Sequence, residues 1–309
     1  MNRLTDNKIV VVTRPTRLAE LVIRFNTVSQ ARFYVEHLGA DFSDYLEEHE
    51  RYWESVAQAE ASMAEFSRVQ RLDRAFLPNF LFGPQDTVVV LGQDGLVANT
   101  MKYLDRQPVV GVNPDPKRWD GVLLPFCVED LPRLLPEVLK GMRSFKEITM
   151  AKAVLNTGQE MHAVNDLFIG VNSHVSARYS IGIAGREEQQ SSSGVIVSTG
   201  LGSTGWMRSV ITGARAVLPD KGRKIPEYKP ARWNADYLTY SVREPFPSKT
   251  SSTTLVFGLV TRKTPLTLVS MIPENGVIFS DGIERDFLEF NSGTRATVSP
   301  AEKRGRLVH

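Results

Sequence analysis

The stretch "TVVVLGQDGLVANT", Thr87 to Thr100, sets a carboxylate between two glycines directly after an apolar, β-branched run. Glycines at Gly92 and Gly95 let a backbone approach a phosphate closely, and the start of a following helix offers unpaired N–H groups and a partial positive charge. Asp94 does not suit a pure phosphate cradle, because a carboxylate repels a phosphate placed against it. Its chemistry admits two tasks: capping the helix, or facing a hydroxyl from which a proton is removed. The stretch lacks the Gly-Lys-Ser/Thr of a P-loop and the glycine spacing of the dinucleotide fingerprint.

A second loop of this kind is "VSTGLGSTGWMRSVITGA", Val197 to Ala214, where a β-branched strand meets Gly200, Gly202 and Gly205 and then a helical pattern. Ser203 and Thr204 can bond the first turn of that helix or face a polar ligand such as a ribose. In "AVNDLFIG" the polar pair Asn165 and Asp166 interrupts a strand-like run. Such a pair must be satisfied by turn backbone or by a ligand. Two glycine loops in two domains suggest a site between them.

These loops need strands to hold them. Lys8 to Thr13 reads as a buried strand, and "SQARFYVEHLG" as a helix ending at Gly39. Apolar residues from Phe42 through Tyr45, Tyr52, Val56, Met63, Phe66, Val69 and Leu72 recur at helical spacing, which predicts one long amphipathic helix from about Asp41 to Phe76. That helix packs on its own sheet or on a second subunit. Val88 to Leu91 and Val109 to Val112 read as further strands, with a helix over Leu96 to Leu104 between them. Strands alternating with helices imply a parallel sheet covered on both faces. After about Ser144 the pattern turns to short strands: Val154, "HAVNDLFIG", "SARYSIGIAG", "SGVIVSTG", "DYLTYSV", "TTLVFGLV", "LTLVSM", "GVIFSDG" and "TRATVS". The expected fold is therefore an α/β N-terminal domain, residues 1–143, followed by a mostly-β domain, residues 144–309. Pro219 to Arg232 is rich in Lys, Arg and Pro and reads as a solvated loop; Lys221, Arg223 and Lys224 within it could bind phosphate.

Composition narrows the function classes. The 309 residues carry a net charge of +2 with both signs interspersed, which leaves no electrostatic footprint for a nucleic acid. Cys127 is the single cysteine and the five histidines are dispersed, so neither a disulfide nor a zinc site of familiar spacing is expected. The opening "MNRLTDNKIVVVT" lacks the features of a signal or transit peptide, and no apolar run reaches membrane-spanning length. A cytoplasmic protein with no membrane partner is the expectation.

Taken in order, these pieces resemble the NAD kinase family. Gly92, Gln93, Asp94 and Gly95 stand where that family has Gly-Gly-Asp-Gly after a strand. "VVGVN", ending at Asn113, matches its Gly-x-Asn; Asn165 and Asp166 match its Asn-acidic pair; Thr199 to Trp206 match its Thr/Gly/Ser-rich loop. "GVNPDPKRWDGVLLP", "SSGVIVSTGLGST", "YSVREPF" and "SDGIERDFLEFNSGTRATVS" look like the mitochondrial-type branch, and the match runs from about Asp86 to Val308. The resemblance implies ATP-dependent transfer of a phosphoryl group to the 2′-hydroxyl of the adenosine ribose of NAD(H), giving NADP(H). Asp94 would take the proton from that hydroxyl. Gly92, Gln93 and Gly95 would border the triphosphate, with Mg²⁺ bridging its oxygens. Asn113, Asn165, Asp166, Thr199, Gly202, Ser203, Thr204 and Trp206 would meet the dinucleotide, with Asn165 on the adenine edge, Asp166 on a ribose hydroxyl and Trp206 offering a face for stacking. The implied fold is an α/β domain and a β-sandwich domain, the last segment returning to the first, in a homodimer.

Three residues depart from the family pattern, one of them Leu201, which replaces a polar residue of the second glycine loop. Gln93 replaces its second glycine, where a positive φ would cost on the order of 1 kcal/mol, and Leu96 stands where threonine is frequent. Gln93 and Leu96 motivate one alternative, a non-catalytic NAD(P)-binding protein; a kinase of the same fold acting on another hydroxyl compound, such as a sugar or lipid, is the other, because fold does not fix substrate.

Overall fold

A computed structural model describes residues 4–217 and 227–309. The chain divides into two compact units, Met1–Lys146 with Arg306–His309, and Glu147–Gly305. Lys221, Arg223 and Lys224 lie outside the described residues. Among those described, no helix is long and apolar enough to cross a membrane, and no group of three metal-ligating side chains forms.

The first unit runs β1 (Lys8–Thr13), α1 (Arg17–Phe25), α2 (Val28–His37), α3 (Ser43–Ala64), β2 (Arg68–Asp73), β3 (Thr87–Leu91), α4 (Asp94–Met101), β4 (Pro108–Asn113), β5 (Phe126–Cys127) and α5 (Leu131–Leu139). The order across the sheet is β2-β1-β3-β4, all parallel, and β5 and the chain end at Arg306 and Leu307 pair in parallel with β4. β3 is the fully buried run "TVVVL", as a parallel strand covered on both faces must be. Ile9, Val11, Val89, Leu91, Val110 and Val112 form one core with Val56, Ala59 and Met63 of α3 and Leu131, Leu134 and Leu135 of α5.

The long helix expected to Phe76 ends at Ala64, and β2 follows it. Val69 and Leu72 are three residues apart, which places them on one face of a helix but on opposite faces of a strand. β2 is an edge strand with exposed Arg68, Gln70 and Arg71, so no alternation of apolar and polar residues betrays it. Arg71 reaches back to Glu60 of α3. The helical period thus continued by coincidence across the turn.

The second unit takes up β6 (Phe145–Leu155), then β7 (Glu160–Ala163), β8 (Asp166–Val171), β9 (Ala177–Ile183), β10 (Arg186–Ser192), β11 (Val195–Ser198), α6 (Trp206–Ala216), β12 (Leu238–Val242), β13 (Phe257–Val260), β14 (Leu266–Ser270), β15 (Gly276–Ser280), β16 (Phe287–Glu289) and β17 (Arg295–Val308). One sheet has the order β13-β12-β11-β8-β15-β16, antiparallel throughout. In the other, β10, β9, β14 and β17 pair antiparallel in that order, and β7 pairs with β6. Leu167, Ile169, Val195, Val197 and Ile278 of the first sheet meet Tyr179, Ile181, Leu266, Leu268, Ala296 and Val298 of the second in a shared core, which makes a β-sandwich. On the outer face of the first sheet, Phe168, Ile196, Val277 and Phe279 pack under Met207 and Trp206 of α6.

Candidate functional site

In the first unit the loop after β3 lies at the carboxyl ends of the parallel strands, where ligands of open α/β sheets gather. Its two glycines answer different needs. A Cβ on Gly92 would lie 2.8 Å from Cδ2 of the buried Leu96, so a larger residue there would make the Leu96 side chain shift. A Cβ on Gly95 would meet nothing within 4 Å, so no packing inside the protein demands this glycine, and the space above it is open. Gln93 is extended, with φ −120° and ψ 163°, and the strain that a positive φ would bring does not arise.

Asp94 is the first residue of α4, and Gln93 holds the cap position without a side-chain bond. The Asp94 carboxylate reaches across to the loop after β4, accepting the N–H of Val122 at 3.1 Å and of Leu123 at 2.8 Å on separate oxygens. Two bonds use about half of the roughly four lone-pair directions of a carboxylate, and they fix its plane. The donors are set by two glycines: a Cβ on Gly111 of β4 would fall 1.9 Å from Leu123 O, and Gly121 turns the loop at φ +64°. Asn113 serves its own loop, donating to Trp119 O at 2.8 Å and accepting the Asp115 N–H at 3.1 Å. Tyr52 of α3 donates its hydroxyl to Leu91 O at 3.1 Å and accepts the Arg14 N–H at 2.9 Å, tying β3 to the loop after β1.

In the second unit the chain turns at Val164 and Asn165 into β8. Asp281, at φ 54° just after β15, accepts the N–H groups of Val164 at 3.1 Å, Asn165 at 2.6 Å and Asp166 at 3.3 Å. Thr199 clamps the same turn: its N–H donates to Asn165 O at 2.9 Å, its Oγ1 donates to Val164 O at 2.6 Å and accepts the Gly202 N–H at 3.2 Å. Gly202 lies flush on the pair, for a Cβ there would sit 2.2 Å from Asn165 O and 2.8 Å from Asp166 Oδ1. Asn165, Asp166, Thr199 and Gly202 are therefore brought together. Ser203 donates to Gly200 O at 2.6 Å and accepts the Ala231 N–H at 3.0 Å, while the exposed Thr204 donates to Leu201 O at 3.1 Å. Their hydroxyls fold the loop on itself rather than cap α6. The Trp206 ring stacks on Phe168 at 5.9 Å, and the Arg243 guanidinium lies 5.5 Å from its centroid. Arg243 also pairs with Glu244 of its own chain at 3.6 Å.

The polar pair itself is incompletely satisfied. The Asn165 side chain bonds no described residue, and Asp166 Oδ1 is buried without a partner among them. Burial pushes the Asp166 carboxyl up to about 7, with the Ser198 hydroxyl opposing the shift and the Asp281 charge adding to it. Near neutrality such a group can donate to or accept from a hydroxyl. The role of Asp281 was hidden because its carboxylate acts through backbone N–H groups 115 to 117 residues away in sequence.

No family model matches the sequence, and no curated protein matches it. Among solved structures, the architecture is that of NAD kinases. An NAD kinase from Archaeoglobus fulgidus, crystallised in complex with ATP, superposes with a TM-score of 0.58 at 15% identity, covering 98% of this chain and 93% of that one. Yeast NADH kinase complexed with NADH superposes with a TM-score of 0.60 at 16% identity, covering 98% and 84%. At these identities the likeness establishes the fold.

Proposed function

We propose that the protein is an NAD(H) kinase: the 2′-oxygen of the adenosine ribose attacks the γ-phosphorus of ATP, the bond to the β,γ-bridging oxygen breaks, ADP leaves, and Asp94 takes the hydroxyl proton. The observation that carries this reading is the carboxylate of Asp94, with lone pairs to spare, on the first turn of α4 beside open Gly95, in a chain whose NAD kinase fold spans 98% of its length. One structural neighbour holds ATP and the other NADH, in keeping with both substrates. Backbone N–H groups at the open end of α4 and the bare Gly95 suit a triphosphate. Mg²⁺ arriving with ATP would neutralise part of the phosphate charge. Asn165, with a free amide, takes the adenine edge, and Asp166 takes a ribose hydroxyl. Placement in the mitochondrial-type branch, a cytoplasmic setting and a homodimer belong to the same proposal.

A second reading, a dinucleotide-binding protein without transfer, is favoured by one observation: both Asp94 oxygens already hold backbone N–H groups. The two separate in a turnover assay with ATP and Mg²⁺ in which NAD, NADH and unrelated hydroxyl compounds compete as acceptors. The kinase reading expects phosphate on the dinucleotide. Dinucleotide binding with ATP left intact favours the second reading, and turnover of a sugar or lipid instead assigns the fold a different acceptor.

A further inference from the structure

Arg14 follows β1 directly and is only 7% exposed. Its Nη2 donates to Glu48 Oε1 at 2.9 Å and its Nη1 to Pro15 O at 3.0 Å, but its Nε is buried with no partner among the described residues. A buried donor without an acceptor is costly to keep, which calls for an explanation. Arg14 Cδ, the atom that carries this Nε, lies 3.7 Å from where a Cβ on Gly92 would be, so the side chain reaches the start of the glycine loop.

The surrounding charges add to the case. Glu48 gives its second oxygen to Arg17, Arg17 bonds Asp44 at 2.6 Å, and Asp44 bonds Arg118 at 2.7 Å. Arg118 and Arg51 share Asp115 at 3.6 Å and 3.0 Å. Four guanidinium groups thus alternate with three carboxylates along the rim where β1 and β4 end, leaving a surplus of one positive charge. Arg14 ends this ladder and has no second carboxylate. Burial works against ionised Glu48, yet Arg17 and Arg14 hold its carboxyl below the usual value, so the ladder stays charged at neutral pH. Tyr52 fixes the backbone of Arg14 to the end of β3.

We propose that Arg14 binds a phosphoryl oxygen of a nucleoside triphosphate at the open end of α4, and that Glu48 and Tyr52 are positioning residues that aim its guanidinium there. The planar fork of Arg suits a phosphate oxygen, and an arriving anion supplies both the missing acceptor and the missing counter-charge. The inference rests on the kinase reading only for the identity of the anion as ATP.

The test is calorimetric titration of the full chain with inorganic tripolyphosphate, and separately with NAD, for the wild type, Arg14→Met, Arg14→Lys and the double variant Arg14→Met with Glu48→Gln. The double variant removes both buried charges together and decides the matter if Arg14→Met alone fails to fold. Expected is at least a roughly tenfold weaker tripolyphosphate Kd for Arg14→Met and the double variant, an intermediate value for Arg14→Lys, and unchanged NAD affinity. A wild type that does not bind tripolyphosphate, or variants that bind it as tightly as the wild type, overturn the inference. Arg14-dependent binding in a protein that never phosphorylates NAD sinks the kinase reading and leaves this one standing; NADP formation indifferent to Arg14→Met sinks this one alone.

Discussion

At the scale of single residues, Asp94 and Gly95 pull apart structural and chemical roles. Gly95→Ala adds a methyl to open space, so thermal unfolding should keep its midpoint or rise slightly, since alanine is the better helix former by up to about 1 kcal/mol. The KM for ATP should nevertheless rise several-fold; an unchanged KM would mean that the open space is not where the triphosphate lies. Asp94→Asn is less clean than its shape suggests. It turns an NH₂ toward the N–H of Val122 or Leu123, a clash of donors costing roughly 1–3 kcal/mol, so kcat must be read beside a melting curve. A proton acceptor predicts a fall in kcat of about 100-fold or more with the remaining protein folded, and survival of kcat would remove Asp94 from the chemistry. Asp166 offers a pH test. Its folded pKa of about 7 lies above the 3.8 of the free side chain, so the fold binds the extra proton and loses stability as pH rises from about 4 through 7. Asp166→Asn removes that titration. Urea unfolding should show the variant gaining on the wild type across this window and then levelling off, and a constant difference would contradict a carboxyl raised by burial.

At the scale of elements, the strands that carry the loops could be read, and the pieces that brace them largely could not. β1 runs over the residues expected of it, and β3 and β4 extend beyond their expected runs by one and two residues, because buried parallel strands are continuous β-branched runs. β10, "REEQQSS", has no apolar residue at all, and its inward Gln190 and Ser192 are buried on the Tyr179 hydroxyl, which no alternation rule detects. α1 is short and α5 holds Pro132 and Pro136, so neither shows a long helical period. The loop that orients Asp94 depends on Gly111, which the sequence marks only as the glycine of a Gly-x-Asn match and not as a packing contact. Gly111→Ala would force Leu123 off β4 and withdraw the donors from Asp94. Expected is a loss of about 1–3 kcal/mol in chemical denaturation together with a collapse of turnover, whereas wild-type stability would refute the close packing of this loop.

At the scale of the whole molecule, a parallel α/β half and a mostly-β half followed from the switch in periodicity near Ser144, the sandwich arrangement of the second came only from the family resemblance, and the fold likeness spans 98% of the chain. The polar pair Asn165 and Asp166 and the two glycine loops were legible as candidates, whereas the contacts that satisfy them and Asp94, from Asp281, Val122 and Leu123, are remote in sequence and carry no local pattern. The most direct measurement is phosphorus NMR of the full chain with ATP, Mg²⁺ and NAD. The account predicts a new phosphomonoester signal on the 2′-position of the adenosine ribose, growing in step with ADP. ATP left unchanged while NAD binds, or phosphate arriving on any other oxygen, would contradict it.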